Sequence, residues 1–226
     1  MSSVFDFATR SEMYFRILIN DSNGELTYLL ADLTAREAVL IDPHGHDLPV
    51  LAAMLSERDL RLRWILRTHH HDAIHTAEPA LLTRLGAPMV QGSVKSNESE
   101  IYGRDGAVLP FGDELIHVVA TPGHTPICLS FAWRDRLFCG GLLAVTACPH
   151  QATPQAPEAL WDSVTQKVFT LPDETLLFAG HDQRARAVST VLEQRRWHPL
   201  FSGRTRDEFL GHMAALSERP VPAPIF

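Results

Sequence analysis

Residues 68 to 75 read Thr68-His69-His70-His71-Asp72-Ala73-Ile74-His75, five side chains able to bind a metal within eight positions, directly after the strand-like run Leu62-Arg63-Trp64-Ile65-Leu66-Arg67. Neutral imidazole presents a nitrogen lone pair near physiological pH and is the commonest metal ligand, whereas packed imidazoles without an ion repel one another once protonated. The cluster is therefore read as a metal site at a strand's end, against the alternative of a solvated, His-rich loop. Two further pieces join it. In Thr121-Pro122-Gly123-His124-Thr125-Pro126, Pro and Gly force a tight turn that presents His124; in Ala179-Gly180-His181-Asp182, a His again follows Gly at the end of an apolar strand. Each is weak alone. Together His69, His71, His124 and His181 all follow predicted strands, a recurrence that a solvated loop does not explain.

Outward from these motifs, the apolar patterning predicts strands over 14–19, 26–31 and 38–41, a helix over 48–57, the strand 62–67 and a helix over 79–85 opened by Pro79. A second set follows, with strands over 115–120, 128–133, 136–139 and 175–178 and helices over 157–168, 187–197 and 205–216. The last helix opens on Thr205-Arg206-Asp207-Glu208, a cap with Glu three residues on. Strands and helices alternate in two comparable halves. The expected fold is α/β, an αββα sandwich with two sheets face to face, helices outside and the metal-binding loops at one edge. The chain is read as one domain over 1–226, with a short extended tail from about 218 that includes Pro220, Pro222 and Pro224.

With 226 residues, 45% hydrophobic and 21% charged, the chain is long enough for a sizeable core. Its net charge of -7, with no Lys/Arg run, argues against nucleic acid or an anionic membrane as partner. A small-molecule substrate is expected, and a homodimer is allowed. No apolar stretch approaches the length of a membrane span and the N-terminus lacks a signal-peptide pattern, so a cytoplasmic protein is expected. Cys128, Cys139 and Cys148 are too few, and odd in number, for a disulfide framework; they are read as reduced, small core residues. His44, His46, His117, His198 and His212 have no motif around them, and Trp64, Trp133, Trp161 and Trp197 are read as core or helix-packing residues.

The motifs resemble those of the metallo-β-lactamase superfamily, and within it most resemble the persulfide dioxygenases, with the glyoxalase II hydrolases as near relatives. The resemblance spans essentially the whole chain. It is carried by Ala38-Val39-Leu40-Ile41-Asp42-Pro43, by Thr68-His69-His70-His71, by Ala120-Thr121-Pro122-Gly123-His124-Thr125-Pro126, and by the run from Thr170 to Gly180-His181-Asp182. It implies that His69, His71 and His124 correspond to the superfamily's first metal site. It further implies that Asp42 supports the metal loops rather than binding metal, with a simple turn residue before Pro43 as the alternative.

This chain departs from the family where metal is bound. The superfamily pattern T-H-x-H-x-D-H meets Ala73 in place of Asp and Ile74 in place of the last His. The family's F-T-G-D-x-L is matched by Phe138-Cys139-Gly140-Gly141-Leu142-Leu143, so Gly141 replaces a metal-binding Asp. Persulfide dioxygenases hold iron with two His and that carboxylate; here His69 and His124 remain and the carboxylate does not. Ala147-Cys148-Pro149-His150 stands where the family carries C-G-R. What remains is a set of three, His69, His71 and His124, for one divalent ion, Fe(II) or Zn(II), with an open position. His181 and Asp72 are the expected catalytic residues. His181 is read as a proton-transfer or ligand-supporting group, and Asp72 as a substitute ligand, as is His75, or as a loop carboxylate orienting a His or capping a helix. Three functions stay open. One is a sulfur-oxidising enzyme acting on a thiol or persulfide with O2; one is a mononuclear zinc hydrolase of a thioester, ester or lactone; one is a non-catalytic descendant that binds a ligand or partner.

Overall fold

The computed structural model describes residues 12–21, 23–70, 78–93, 103–143, 148, 151, 153–181 and 186–217. Strands β1 (Met13–Ile19), β2 (Leu26–Asp32), β3 (Glu37–Ile41), β4 (Arg61–Leu66) and β5 (Met89–Val90) form one sheet in the order β1-β2-β3-β4-β5. The second sheet is ordered β11-β10-β9-β8-β7-β6, from β6 (Val108–Phe111), β7 (Glu114–Ala120), β8 (Leu129–Trp133), β9 (Arg136–Gly140), β10 (Leu176–Ala179) and β11 (Val188–Thr190). The helices are α1 (Leu48–Glu57), α2 (Glu78–Leu82), α3 (Pro157–Asp162), α4 (Val191–Trp197) and α5 (Arg206–Ser217).

Side chains alternate across a strand, and that alternation explains the layers. On β2 and β3, Tyr28, Leu30, Val39 and Ile41 face inward and meet Ile116, Val118, Phe131 and Phe138 of the second sheet. Their neighbours Leu29, Ala31, Ala38 and Leu40 face outward and are covered by Leu51 and Leu55 of α1. Burial of each of these helix leucines contributes about 1.5–3 kcal/mol. The outer face of the second sheet, with Leu137, Cys139 and Leu177, is covered by Leu160, Val191, Phe209 and Met213 from α3, α4 and α5. The architecture is thus the expected αββα sandwich. No helix among the described residues is long and apolar enough to cross a membrane.

Several boundaries differ from the sequence reading. The helix expected over 187–197 begins only at Val191, because Val188–Thr190 pairs antiparallel with β10 and the Thr190 side chain caps α4 by accepting from Glu193 N at 3.1 Å. The helix expected over 157–168 is α-helical only through Asp162 and continues as a π-helical turn, Ser163–Val168. Strand β6 contains Pro110, which marks it as a poor strand by sequence; it is tolerated because β6 is the edge of its sheet. Trp197, read as a packing residue, is 76% exposed at the end of α4. The tail from 218 lies outside the described residues.

Candidate metal centre

The two sheets are stitched together where β3, β4, β7, β9 and β10 end. The backbone N–H of Leu129 donates to the Thr68 carbonyl at 2.8 Å, and that of Leu26 donates to the Gly180 carbonyl at 3.0 Å. Gly180 N–H in turn donates to the Gly140 carbonyl at 2.9 Å. His69, His124 and His181 therefore come from different strands to one edge, and the His69 ring centroid lies 4.9 Å from that of His124 and 5.8 Å from that of His181.

Asp42 organises the first of these ligand candidates. It leaves β3 with φ 48°, a left-handed conformation that Asp tolerates better than most residues. Its buried carboxylate accepts from Thr68 N–H and from Thr68 Oγ1, each at 2.7 Å. Thr68 Oγ1 also lies 2.8 Å from His69 Nδ1. The hydroxyl has one proton; with Asp42 ionised that proton goes to the carboxylate, so His69 Nδ1–H donates to Thr68 Oγ1. This fixes the tautomer that leaves the Nε2 lone pair of His69 for a metal. Burial raises the Asp42 pKa to about 6, against the lowering effect of the Thr68 hydrogen bonds, so the ionised form prevails at neutral pH. Asp42 is thus more than a turn residue before Pro43: its carboxylate ties the end of β3 to the Thr68-His69 segment.

Gly140 is required by the same contact. Its φ is +53°, and a Cβ there would lie 2.1 Å from Thr68 Oγ1 and 3.0 Å from His69 Nδ1.

His124 is fully buried in the turn after β7. Its carbonyl accepts from Gln155 N–H at 3.1 Å, and Ser163 Oγ donates to the Pro122 carbonyl at 2.8 Å, which ties the turn to the α3 region. Cys128 Sγ lies 3.9 Å from His124 Nδ1; burial pushes this thiol up to about 11 and that of Cys139 up to about 12, so both stay protonated at neutral pH.

The structure also brings in a residue that the sequence reading left in the core. Cys148, buried, offers its Sγ to a group with His69 and His181 in which the ligand atoms all lie within 4.8 Å of one another. Its signal in the chain is its place shortly after Gly141, where the family carries the Cys of C-G-R, a match that does not by itself mark a ligand. His71, Asp72, Ala73, Ile74 and His75 lie outside the described residues. His198, read as ordinary, is a buried packing residue whose Nε2 lies 3.0 Å from the Leu143 carbonyl; burial lowers its pKa.

No protein-family model matches this chain. Among curated proteins it is 36% identical to the human (Homo sapiens) "Persulfide dioxygenase ETHE1, mitochondrial", over 88% of this chain and 78% of that protein. Among solved structures, ETHE1 from Myxococcus xanthus has 37% sequence identity and a TM-score of 0.79, covering 92% of this chain and 93% of that one. A metallo-β-lactamase from Staphylococcus aureus shares the fold at 20% identity and a TM-score of 0.73, over 94% of this chain and 69% of that one. Sequence likeness over most of the length and a shared sandwich lead to one assignment: the chain belongs to the persulfide dioxygenase family and has the metallo-β-lactamase fold.

Proposed function

We propose that this protein oxidises a small thiol or persulfide with O2 at a mononuclear metal centre built at the strand ends around His69, with Fe(II) as the ion. The observation that carries the reading is the Asp42–Thr68–His69 chain of hydrogen bonds, which presents an imidazole lone pair at the edge where His124 and His181 also arrive.

The fold family implies a metal cofactor, and the residues present fit one. Tetrahedral bonds of about 2.0–2.3 Å to nitrogen and sulfur place donor atoms about 3.3–3.8 Å apart. The nitrogen and sulfur donors of His69, His181 and Cys148 lie within 4.8 Å of one another, so a small closure seats an ion. When bound, the ion supplies a site at which a substrate sulfur and O2 can be held together. The chain's own contribution is to fix the His69 tautomer and to hold the buried His124, His181 and Cys148 beside it. His71 and Asp72, expected respectively as a ligand and as a catalytic group, belong to the same proposal.

A second reading, a zinc hydrolase of a thioester, ester or lactone, is favoured by the purely nitrogen and sulfur character of this donor group, which suits zinc. One experiment separates the two. Metal-free protein is reloaded with Fe(II) or Zn(II) and assayed for oxygen consumption with a low-molecular-weight persulfide and for hydrolysis of a thioester. Oxygen uptake only with Fe(II), abolished by His69→Ala, supports the oxidising reading; thioester hydrolysis with Zn(II) and no oxygen uptake would replace it.

A further inference from the structure

We infer that Cys148 supplies, as a thiolate, the anionic metal ligand that the family takes from the aspartate at position 141, joining His69 and His181 on a single divalent ion. The inference rests on the metal-dependent reading above and names a ligand set that the family pattern does not contain.

Three observations carry it. First, the family's carboxylate cannot come from position 141, which is glycine. Nor is space kept for it: a Cβ at Gly141 would lie 2.4 Å from His124 Nδ1 and 2.6 Å from His124 Cε1, so the His124 ring fills that volume. Second, Cys148 Sγ is the anionic-capable donor that the described residues bring into a mutual 4.8 Å group with two imidazoles. Two neutral imidazoles and one thiolate carry the same charge as two imidazoles and one carboxylate, so a divalent ion keeps its net charge of about +1 in either set. Third, Cys148 is held in register with the ligand turns. Its carbonyl accepts from Gln151 N–H at 3.3 Å, and the Gln151 side-chain amide donates to the His124 carbonyl. Gln155 N–H donates to that carbonyl too, and Ala156 N–H to the Gly123 carbonyl at 3.0 Å. Gln151 thereby links the Cys148 backbone to the Gly123-His124 turn, whose ring packs against His69.

The assignment revises the expected ligand set of His69, His71 and His124. Cys148 becomes a ligand rather than a core filler, His181 becomes a ligand rather than a proton-transfer group, and His124 packs beside the donors instead of joining them. It also bears on metal choice, because replacing a carboxylate oxygen with thiolate sulfur shifts preference toward zinc and other thiolate-binding ions. Ion binding drives deprotonation of the thiol, with the proton released to solvent.

The test is Co(II) titration of metal-free full-length protein, followed by absorption spectroscopy, beside Cys148→Ser, Cys128→Ser and His181→Ala. The expected result is a near-ultraviolet sulfur-to-cobalt charge-transfer band that saturates at about one equivalent in the wild type and in Cys128→Ser. The band is absent from Cys148→Ser, and Co(II) affinity falls by more than about tenfold in Cys148→Ser and His181→Ala, exceeding the smallest losses that supporting residues cause. Zinc-edge X-ray absorption of the wild type gives an independent readout that does not depend on how a variant folds: one sulfur scatterer at about 2.3 Å. Stoichiometric Co(II) binding without the band, or a band that survives Cys148→Ser, would overturn the assignment and leave the metal-dependent function standing. Failure of the wild type to bind any divalent ion would overturn both. A sulfur-ligated ion without oxygen uptake would leave this assignment in place and remove the dioxygenase reading.

Discussion

The imidazole of His124 occupies the volume that a side chain at position 141 would need, since a Cβ on Gly141 would stand 2.4 Å from His124 Nδ1. The absence of a side chain at position 141 and the position of this ring are therefore coupled. Gly141→Asp should not restore a family-type site without cost: the ring must swing out of a fully buried position. Such overpacking is expected to destabilise the metal-free protein by about 1–3 kcal/mol. Thermal unfolding of Gly141→Asp and Gly141→Ala checks this, and an unchanged Tm in both would show that the ring gives way freely.

Asp42→Asn tests how the His69 tautomer is set. The amide oxygen can still accept from Thr68 N–H, but the amide N–H would now donate to Thr68 Oγ1, and the hydroxyl proton would turn toward His69 Nδ1. That moves the His69 proton to Nε2, away from the arrangement a metal ligand needs. Metal affinity is expected to fall about 10–100-fold. Asp42→Ala is expected to go further, leaving the buried Thr68 N–H without its acceptor and costing about 1–3 kcal/mol of stability. Metal titration and chemical unfolding of both variants separate the two effects.

Acid sensitivity should be traceable in part to Glu114, far from the metal edge. Its carboxylate accepts from Arg134 and, at 2.7 Å, from Trp133 Nε1, and the Arg134 hydrogen bond holds its pKa below the ordinary 4.5. A depressed folded-state pKa means that this stabilisation is present in full above the unfolded value and is lost as pH falls through the lower folded value. Glu114→Gln is expected to cost about 1 kcal/mol at neutral pH and nothing once the pH is low enough to protonate the wild-type carboxylate. Unfolding midpoints measured across the acid range check this; a constant difference at all pH values would contradict it.

The sandwich was legible because both kinds of strand carry their burial in their spelling. Leu26 to Asp32 is apolar enough to be buried on both faces, and β7 alternates as a half-exposed strand should. The capping pattern at Thr205 was equally readable: Thr205 Oγ1 accepts from Glu208 N–H at 3.3 Å, and the Glu208 carboxylate accepts in return from Thr205 N–H at 2.7 Å. Strand β11 was not legible, because Val188-Ser189-Thr190 runs straight into helix-forming residues and only pairing with β10 makes it a strand. Strand β6 was hidden by Pro110.

At the site, His69, His124 and His181 were marked by their Gly- and strand-end contexts, and the role of Asp42 by the motif that contains it. Cys148 was marked only by its match to the Cys of C-G-R, which does not identify a ligand. It lies far along the chain from His69, in no repeated pattern, and its proximity is a product of how the sheet ends converge. The position of the His124 ring was likewise unreadable, because a glycine in a sequence records the loss of a side chain but not what fills the space.

The most direct test of the central claim, that these strand ends hold a single catalytic metal ion, is elemental analysis of protein purified without added metal, beside His69→Ala. About one iron or zinc per chain is expected in the wild type and a clear loss in the variant, with the variant still folded. A folded wild-type protein that carries no metal and takes up none on titration would contradict it.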